Sequence, residues 1–139
     1  MDARPAPTRT SAMISLPNEL PIPKASSVLR VACGVFYVPH ILFKLTGLAA
    51  STAFFAKAGF QPAGLWLALA LTLECACAVG LTFGILTRYL GLLSAGVMAT
   101  AVYAVFNTKG VGWMWNMGGV EYLVFWGLAS VAVAAEAWS

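Results

Sequence analysis

The chain has 139 residues, of which 60% are hydrophobic and only 9% are charged, with a net charge of +3 and a mean hydropathy of +0.84. Soluble domains carry about 25% charged residues, so these charges are too few to cover a water-soluble globule. This composition excludes a soluble enzyme and a disordered protein, and the scattered basic residues exclude a nucleic-acid-binding protein. We therefore expect an integral membrane protein built from helices.

The first 24 residues differ in composition from the rest of the chain. Five of the seven prolines lie here, together with several charged residues. Such a segment predicts an irregular, proline-rich N-terminal arm outside the membrane. Two interpretations of this arm stay open: it is exposed to solvent, or it is laid as a strap against a partner subunit.

Four apolar segments follow the arm. They cover about residues 25–46, 62–84, 87–106 and 119–138. Each is long enough to cross a hydrocarbon core of about 30 Å as a helix. Residues 25–139 are therefore predicted to form one all-α domain, a four-helix transmembrane antiparallel bundle.

The segments between the spans set the expected topology. Residues 47–61 and 107–118 are expected to be irregular loops on one side of the membrane, whereas the link near residues 85–87 is short. Five of the eight basic residues fall on the side of the N-terminus, so both termini are expected in the cytoplasm, with the bundle in the inner (plasma) membrane. Arg30 and Arg88 lie at the inner ends of spans and are interpreted as interface anchors.

Small residues recur at every fourth position in the third span. Gly91, Ala95 and Ala99 form one stripe, and Gly96 and Thr100 begin another beside it. Small side chains allow helix backbones to approach closely in lipid. Both stripes therefore predict tight contact with neighbouring helices.

Ionisable groups inside a bilayer are costly, so each one is a candidate functional residue. His40 and Lys44 share one face of the first span, Glu74 lies near the middle of the second, and Glu121 opens the fourth. Counting 1.5 Å per residue places Glu74 near the midplane and the other three in the outer half of the bundle. The sequence therefore predicts one polar cluster of these four residues. Further candidates in the same half are Asn107, at the end of the third span, and Tyr122.

Structural roles are the alternative for each candidate. In these structural roles, Lys44 extends to the membrane interface and Glu121 stabilises the start of a helix. His40 is then a hydrogen-bonded histidine of the bundle interior. Glu74 is different, because a carboxylate at mid-membrane must be protonated or paired, with His40 or Lys44 as the nearest partners. The chain has one histidine and three cysteines, and they are not spaced as metal ligands are. The sequence therefore gives no indication of a metal site.

Several motifs resemble the DoxX family of small four-helix integral membrane proteins, over about residues 28–137. The resemblance is carried by LRVACGVFYVPHILFKLTG, FFAKAGFQPAG, LECACAVGLTFGILTRYLGLL and GGVEYLVFWGLASVAV. One departure is Ile41, where a glycine commonly follows the family's histidine. The residues that the match carries over are Arg30, His40, Lys44, Glu74, Arg88, Glu121 and Tyr122.

Two functions of different classes are considered, the first implied by the resemblance and the second indicated by the small size of the chain, the absence of a cofactor motif and the proline-rich arm. The first is a membrane subunit of a quinone-linked redox complex with thiosulfate or a thiol as electron donor. In it, Glu74 and His40 are catalytic, and the quinone is bound without a covalent link. The residues expected around the quinone are His40, Lys44, Glu121, Tyr122 and Asn107.

The second function is a non-catalytic accessory subunit that packs into a larger membrane complex through the N-terminal arm and its lipid-facing helices. The expected partners are membrane lipids, other membrane-protein subunits and, in the first function only, quinone. A transporter is less favoured, because the four spans show no inverted repeat.

Overall fold

A computed structural model describes residues 24–139, and these residues form helices joined by short connections. Between residues 24 and 139 there is no strand. The predicted N-terminal arm, apart from Lys24, lies outside the described residues. The helices are α1 (Ala25–Val35), α2 (Tyr37–Thr46), α3 (Leu48–Lys57), α4 (Ala63–Phe83), α5 (Thr87–Lys109) and α6 (Glu121–Trp138), with a 3₁₀ turn at Trp115–Met117.

Three helical stretches are long and apolar enough to cross a membrane. They are Ala25–Thr46, Ala63–Phe83 and Thr87–Lys109, with 22, 21 and 23 residues. All three coincide with predicted spans, which confirms an all-helical fold with membrane-spanning helices. The 18-residue α6 occupies most of the fourth predicted segment and packs along α5.

The first stretch is interrupted at Phe36, where α1 gives way to α2. Pro39 explains this position, because it has no N–H to donate to the carbonyl four residues earlier, at Val35. Helix α1 packs against α4 and α6, whereas α2 packs against α4 and α3. Both halves of the span therefore pack on α4, and after the interruption the second half also packs on α3.

The prediction of an irregular loop over residues 47–61 was wrong. Residues Leu48–Lys57 form α3, so the described chain has five helices rather than four when α1 and α2 are counted as one. The alanine-rich segment after Gly47 favours a helix, which starts directly at Leu48. Helix α5 also continues to Lys109, three residues past its predicted end, and stops where Gly110 adopts a φ of 90°.

Close helix packing occurs at Gly91, in one of the small-residue stripes of the third span. A Cβ added at Gly91 would lie 2.8 Å from the Ser130 carbonyl oxygen and from the Ala134 Cβ, so α5 and α6 touch there. A Cβ added at Gly96 would meet nothing within 4 Å. The prediction of close contact therefore holds at Gly91 and fails at Gly96.

Substitution of Gly91 tests the α5–α6 contact. We expect Gly91→Leu to lower the free energy of unfolding by about 1–3 kcal/mol, because the two helices must separate to admit the side chain. The measurement is unfolding in mixed micelles with increasing sodium dodecyl sulfate, followed by circular dichroism. The matched control is Gly64→Leu, because a Cβ added at Gly64, unlike one at Gly91, would meet nothing within 4 Å. Identical unfolding curves for the two variants would contradict the packing argument.

Candidate functional site

A cavity of about 780 Å³ lies among α2, α3, α4, α5 and α6. On α4 its wall runs from Trp66 to Glu74, which is the half of that helix nearest α3. Most of the wall is apolar, with a few polar side chains. Both the volume and this mixed lining are typical of small-molecule sites.

An ion pair forms one wall of the cavity. The Lys44 ammonium on α2 lies 2.7 Å from Glu74 Oε1 and 2.8 Å from Oε2 on α4. Glu74 is only 6% exposed, so its charge depends on this partner. Two of the three ammonium N–H groups point to the carboxylate, which leaves one donor. Of the two partners expected for Glu74, the structure places Lys44 against it.

A buried tryptophan forms another part of the wall. Trp126 on α6 is 6% exposed, and its ring lies 4.6 Å from the Tyr37 ring and 5.5 Å from the His40 ring, centroid to centroid. Its Nε1 has no hydrogen-bond partner among residues 24–139. Buried N–H groups almost always have one. The Trp126 side chain therefore lines the cavity while its indole N–H is buried without a hydrogen-bond partner in the described part of the chain.

A chain of three buried hydroxyls lies behind the cavity. The Tyr37 and Ser94 hydroxyl oxygens are 2.7 Å apart, and the Ser94 and Ser130 oxygens are 2.8 Å apart. This chain joins α2, α5 and α6 and satisfies polar groups that burial would otherwise leave unpaired. Tyr37 therefore lines the cavity with its ring, while its hydroxyl is engaged in the core.

Aromatic rings close the end of the cavity nearest α3. The Phe60 ring lies 5.3 Å from the Trp66 ring and 5.9 Å from the Tyr103 ring. The Trp66 indole N–H donates to the Gln61 carbonyl at 3.3 Å. Phe54 and Phe55 of α3 add to the wall. This aromatic cluster (Phe54, Phe55, Phe60, Trp66 and Tyr103) covers the polar groups below it.

The structure brings most of the predicted cluster together. His40, Lys44, Glu74 and Tyr122 line the cavity. The other two candidates lie outside the lining formed by the described residues. Glu121 occupies the first position of α6, and Asn107 donates through Nδ2 to the Ala58 carbonyl at 3.1 Å, which ties α5 to the end of α3.

The two arginines lie at the opposite end of the bundle. The Arg30 guanidinium donates to the carbonyls of Leu81 and Thr82, the latter at 3.0 Å, and so caps the C-terminus of α4. The Arg88 guanidinium lies 5.2 Å from the centroid of the Trp138 ring. Arg30 thus acts on a helix end, and Arg88 lies against an aromatic side chain as a cation–π partner.

Sequence reasoning missed Trp126 and the residues of α3. Trp126 lies four positions after Tyr122, so the two share a helix face, and this spacing could have identified it. The wall residues of α3 were assigned to a loop and carried no such signal. Within the described part of the chain, no three His, Cys, Asp or Glu side chains are grouped as metal ligands.

A family model described as DoxX matches residues 25–107, which is more than half of the chain. The match includes α1 to α4 and nearly all of α5, and therefore the Lys44–Glu74 pair. No curated protein matches the chain, and no solved structure matches it.

A double-variant cycle tests the ion pair. We expect Glu74→Gln or Lys44→Met alone to lower the free energy of unfolding by about 3 kcal/mol, because each leaves an unpaired charge in the interior. The variant with both changes should recover most of that loss. Unfolding in micelles measures all three, with Lys57→Met, on the exposed end of α3, as the control. Additive losses in the double variant would contradict the pairing.

Proposed function

The chain belongs to the DoxX family of membrane proteins, and on this basis we propose that it is the membrane subunit of a quinone-linked redox complex. The quinone head group binds in the cavity among α2, α4, α5 and α6. The electron donor is thiosulfate or a thiol, and it reacts with a partner subunit of the same complex.

The observation that carries this proposal is a largely apolar cavity lined by the Lys44–Glu74 pair and by Trp126, whose buried indole N–H has no partner among the described residues. A quinone has two carbonyl oxygens, which accept hydrogen bonds. We assign the third N–H of Lys44 to one of these acceptors, and the buried, unpaired Trp126 N–H to the other once the indole turns toward the ligand. The aromatic side chains of the wall suit a flat ring, because stacked and edge-to-face contacts stabilise aromatic pairs.

The ionisable side chains of the wall supply the proton chemistry. A quinone takes up two electrons and two protons when it is reduced to a quinol. We assign proton transfer to Glu74 and His40, and Lys44 holds the Glu74 carboxylate in place through two hydrogen bonds. Tyr122 also lines the cavity, and we assign it as a further contact for the head group.

We further propose that α6 is a fourth span, which completes a four-helix antiparallel bundle in the inner membrane with both termini in the cytoplasm. The extensive contact between α5 and α6 supports this arrangement. Trp113 and Trp115 are exposed beside the start of α6, as residues of an aromatic belt are. In this orientation α3 and the cavity face the outer half of the membrane.

The alternative of a non-catalytic accessory subunit depends on the N-terminal arm, which lies outside the described residues. That role gives no purpose to the unpaired N–H of Trp126. The cavity therefore favours ligand binding over a purely structural role.

Binding of a quinone tests the unpaired donor directly. We expect Trp126→Phe to weaken binding of 2,3-dimethoxy-5-methyl-1,4-benzoquinone about three- to tenfold, because one hydrogen bond is lost. The dissociation constant is measured by fluorescence quenching of the purified protein in micelles. Trp66→Phe is the matched control, since this indole also lines the cavity but already donates to Gln61. Equal weakening of quinone binding in both variants would contradict a hydrogen bond from Trp126, because loss of aromatic contact area alone would then explain the change.

Turnover in membranes tests the redox role. Membranes with the chain should reduce decylbenzoquinone when thiosulfate is added, and membranes from a deletion strain should lose this activity. Trp126→Phe is expected to raise KM for the quinone severalfold, whereas Trp66→Phe should change it less. Equal rates with and without the chain, for thiosulfate and for a thiol, would refute the redox role.

A further inference from the structure

The cavity reaches the outer surface of the bundle between α4 and α5. Leu69 of α4 and Leu92 of α5 both line it, yet they are 45% and 50% exposed. Gly96 and Thr100, which also line the cavity, are exposed on α5. Residues that belong to a cavity wall and to the outer surface mark an opening.

The opening lies between two places where the helices are bridged. Near the turn that joins α4 and α5, Leu90 packs against Gly80. At the other end, α3 packs against both helices, with Phe60 between the rings of Trp66 and Tyr103. From Leu92 to Thr100 the helix rises about 12 Å, so the gap is long enough for part of a hydrocarbon chain to pass between the helices.

The surface of the gap is apolar. Leu69 and Leu92 present hydrocarbon, and Gly96 presents no side chain. The hydroxyl of Thr100 donates to the Gly96 carbonyl at 2.9 Å and is therefore engaged within its own helix. Since both helices are membrane-capable along this length, the gap faces the acyl chains of the bilayer.

We infer that this gap, lined by Leu69, Leu92, Gly96 and Thr100, is a lateral portal for the hydrocarbon tail of the ligand. The inference rests on the proposed function and extends it to the class of ligand. The ligand has a polar head at the Lys44–Glu74 pair and a single prenyl or alkyl chain, which passes between α4 and α5 into the membrane. The open space at Gly96 leaves room for that chain.

Gly96→Leu tests the portal, because the new side chain enters a space that is empty of protein atoms. Two probes with the same head group are compared in micelles: 2,3-dimethoxy-5-methyl-1,4-benzoquinone, which has no tail, and its decyl derivative. We expect Gly96→Leu to weaken binding of the decyl derivative about tenfold, as if about two methylene groups lost their contacts. Binding of the tailless quinone should change less than about twofold.

The matched control is Gly64→Leu, on the outer face of α4 and outside the cavity lining, which should leave both dissociation constants unchanged. Gly96→Ala should give a smaller effect in the same direction, and circular dichroism establishes that each variant is folded. If wild-type protein binds neither quinone, the proposed function fails. If wild-type protein binds both and Gly96→Leu weakens both equally or neither, the portal is refuted while the proposed function stands.

Discussion

The ion pair between Lys44 and Glu74 constrains the whole arrangement of this bundle. A carboxylate that is 6% exposed at the level of a membrane core loses its hydration, and the loss amounts to several kcal/mol per ion. The Lys44 ammonium offsets it with two hydrogen bonds of 2.7 and 2.8 Å. Because the partners lie 30 residues apart, on α2 and α4, the pair also sets how these helices face each other.

The two ends of the bundle are packed differently. Near the α4–α5 turn, Gly34 and Gly91 let backbones approach closely, and Arg30 caps the end of α4. In the other half, the interruption at Phe36 brings α2 against α3 and α4, and a cavity of about 780 Å³ opens. Close packing stabilises one half, where Arg30 and Arg88 lie, whereas His40, Lys44 and Glu74 gather in the half that contains the cavity.

Particular residues show how far sequence reasoning reached into the site. Lys44 and Glu74 were identified because charges are rare in spans and expensive there, so each one demands a partner. Trp126 demands no charged partner, because it is an aromatic ring in an apolar helix, and its spacing from Tyr122 is the sequence signal that points to it; its unpaired N–H appears only in the structure. Asn107 was expected in the cluster, but an amide at the end of a helix also suits a neighbouring carbonyl, and the chain supplies one at Ala58.

Composition and hydrophobic length alone determined that this protein is helical and inserted in a membrane, since apolar segments of this length have few other stable states in water or lipid. The sequence by itself also determined which few residues could carry charge inside the bilayer. The tertiary structure decided which of them meet, that Leu48–Lys57 is a helix closing the cavity, and that Gly96 borders an opening while Gly91 borders a helix contact. Both glycines belong to small-residue stripes of the same helix, and only the position of the neighbouring helices separates their roles. That position depends on long-range packing, which the local pattern of residues does not contain.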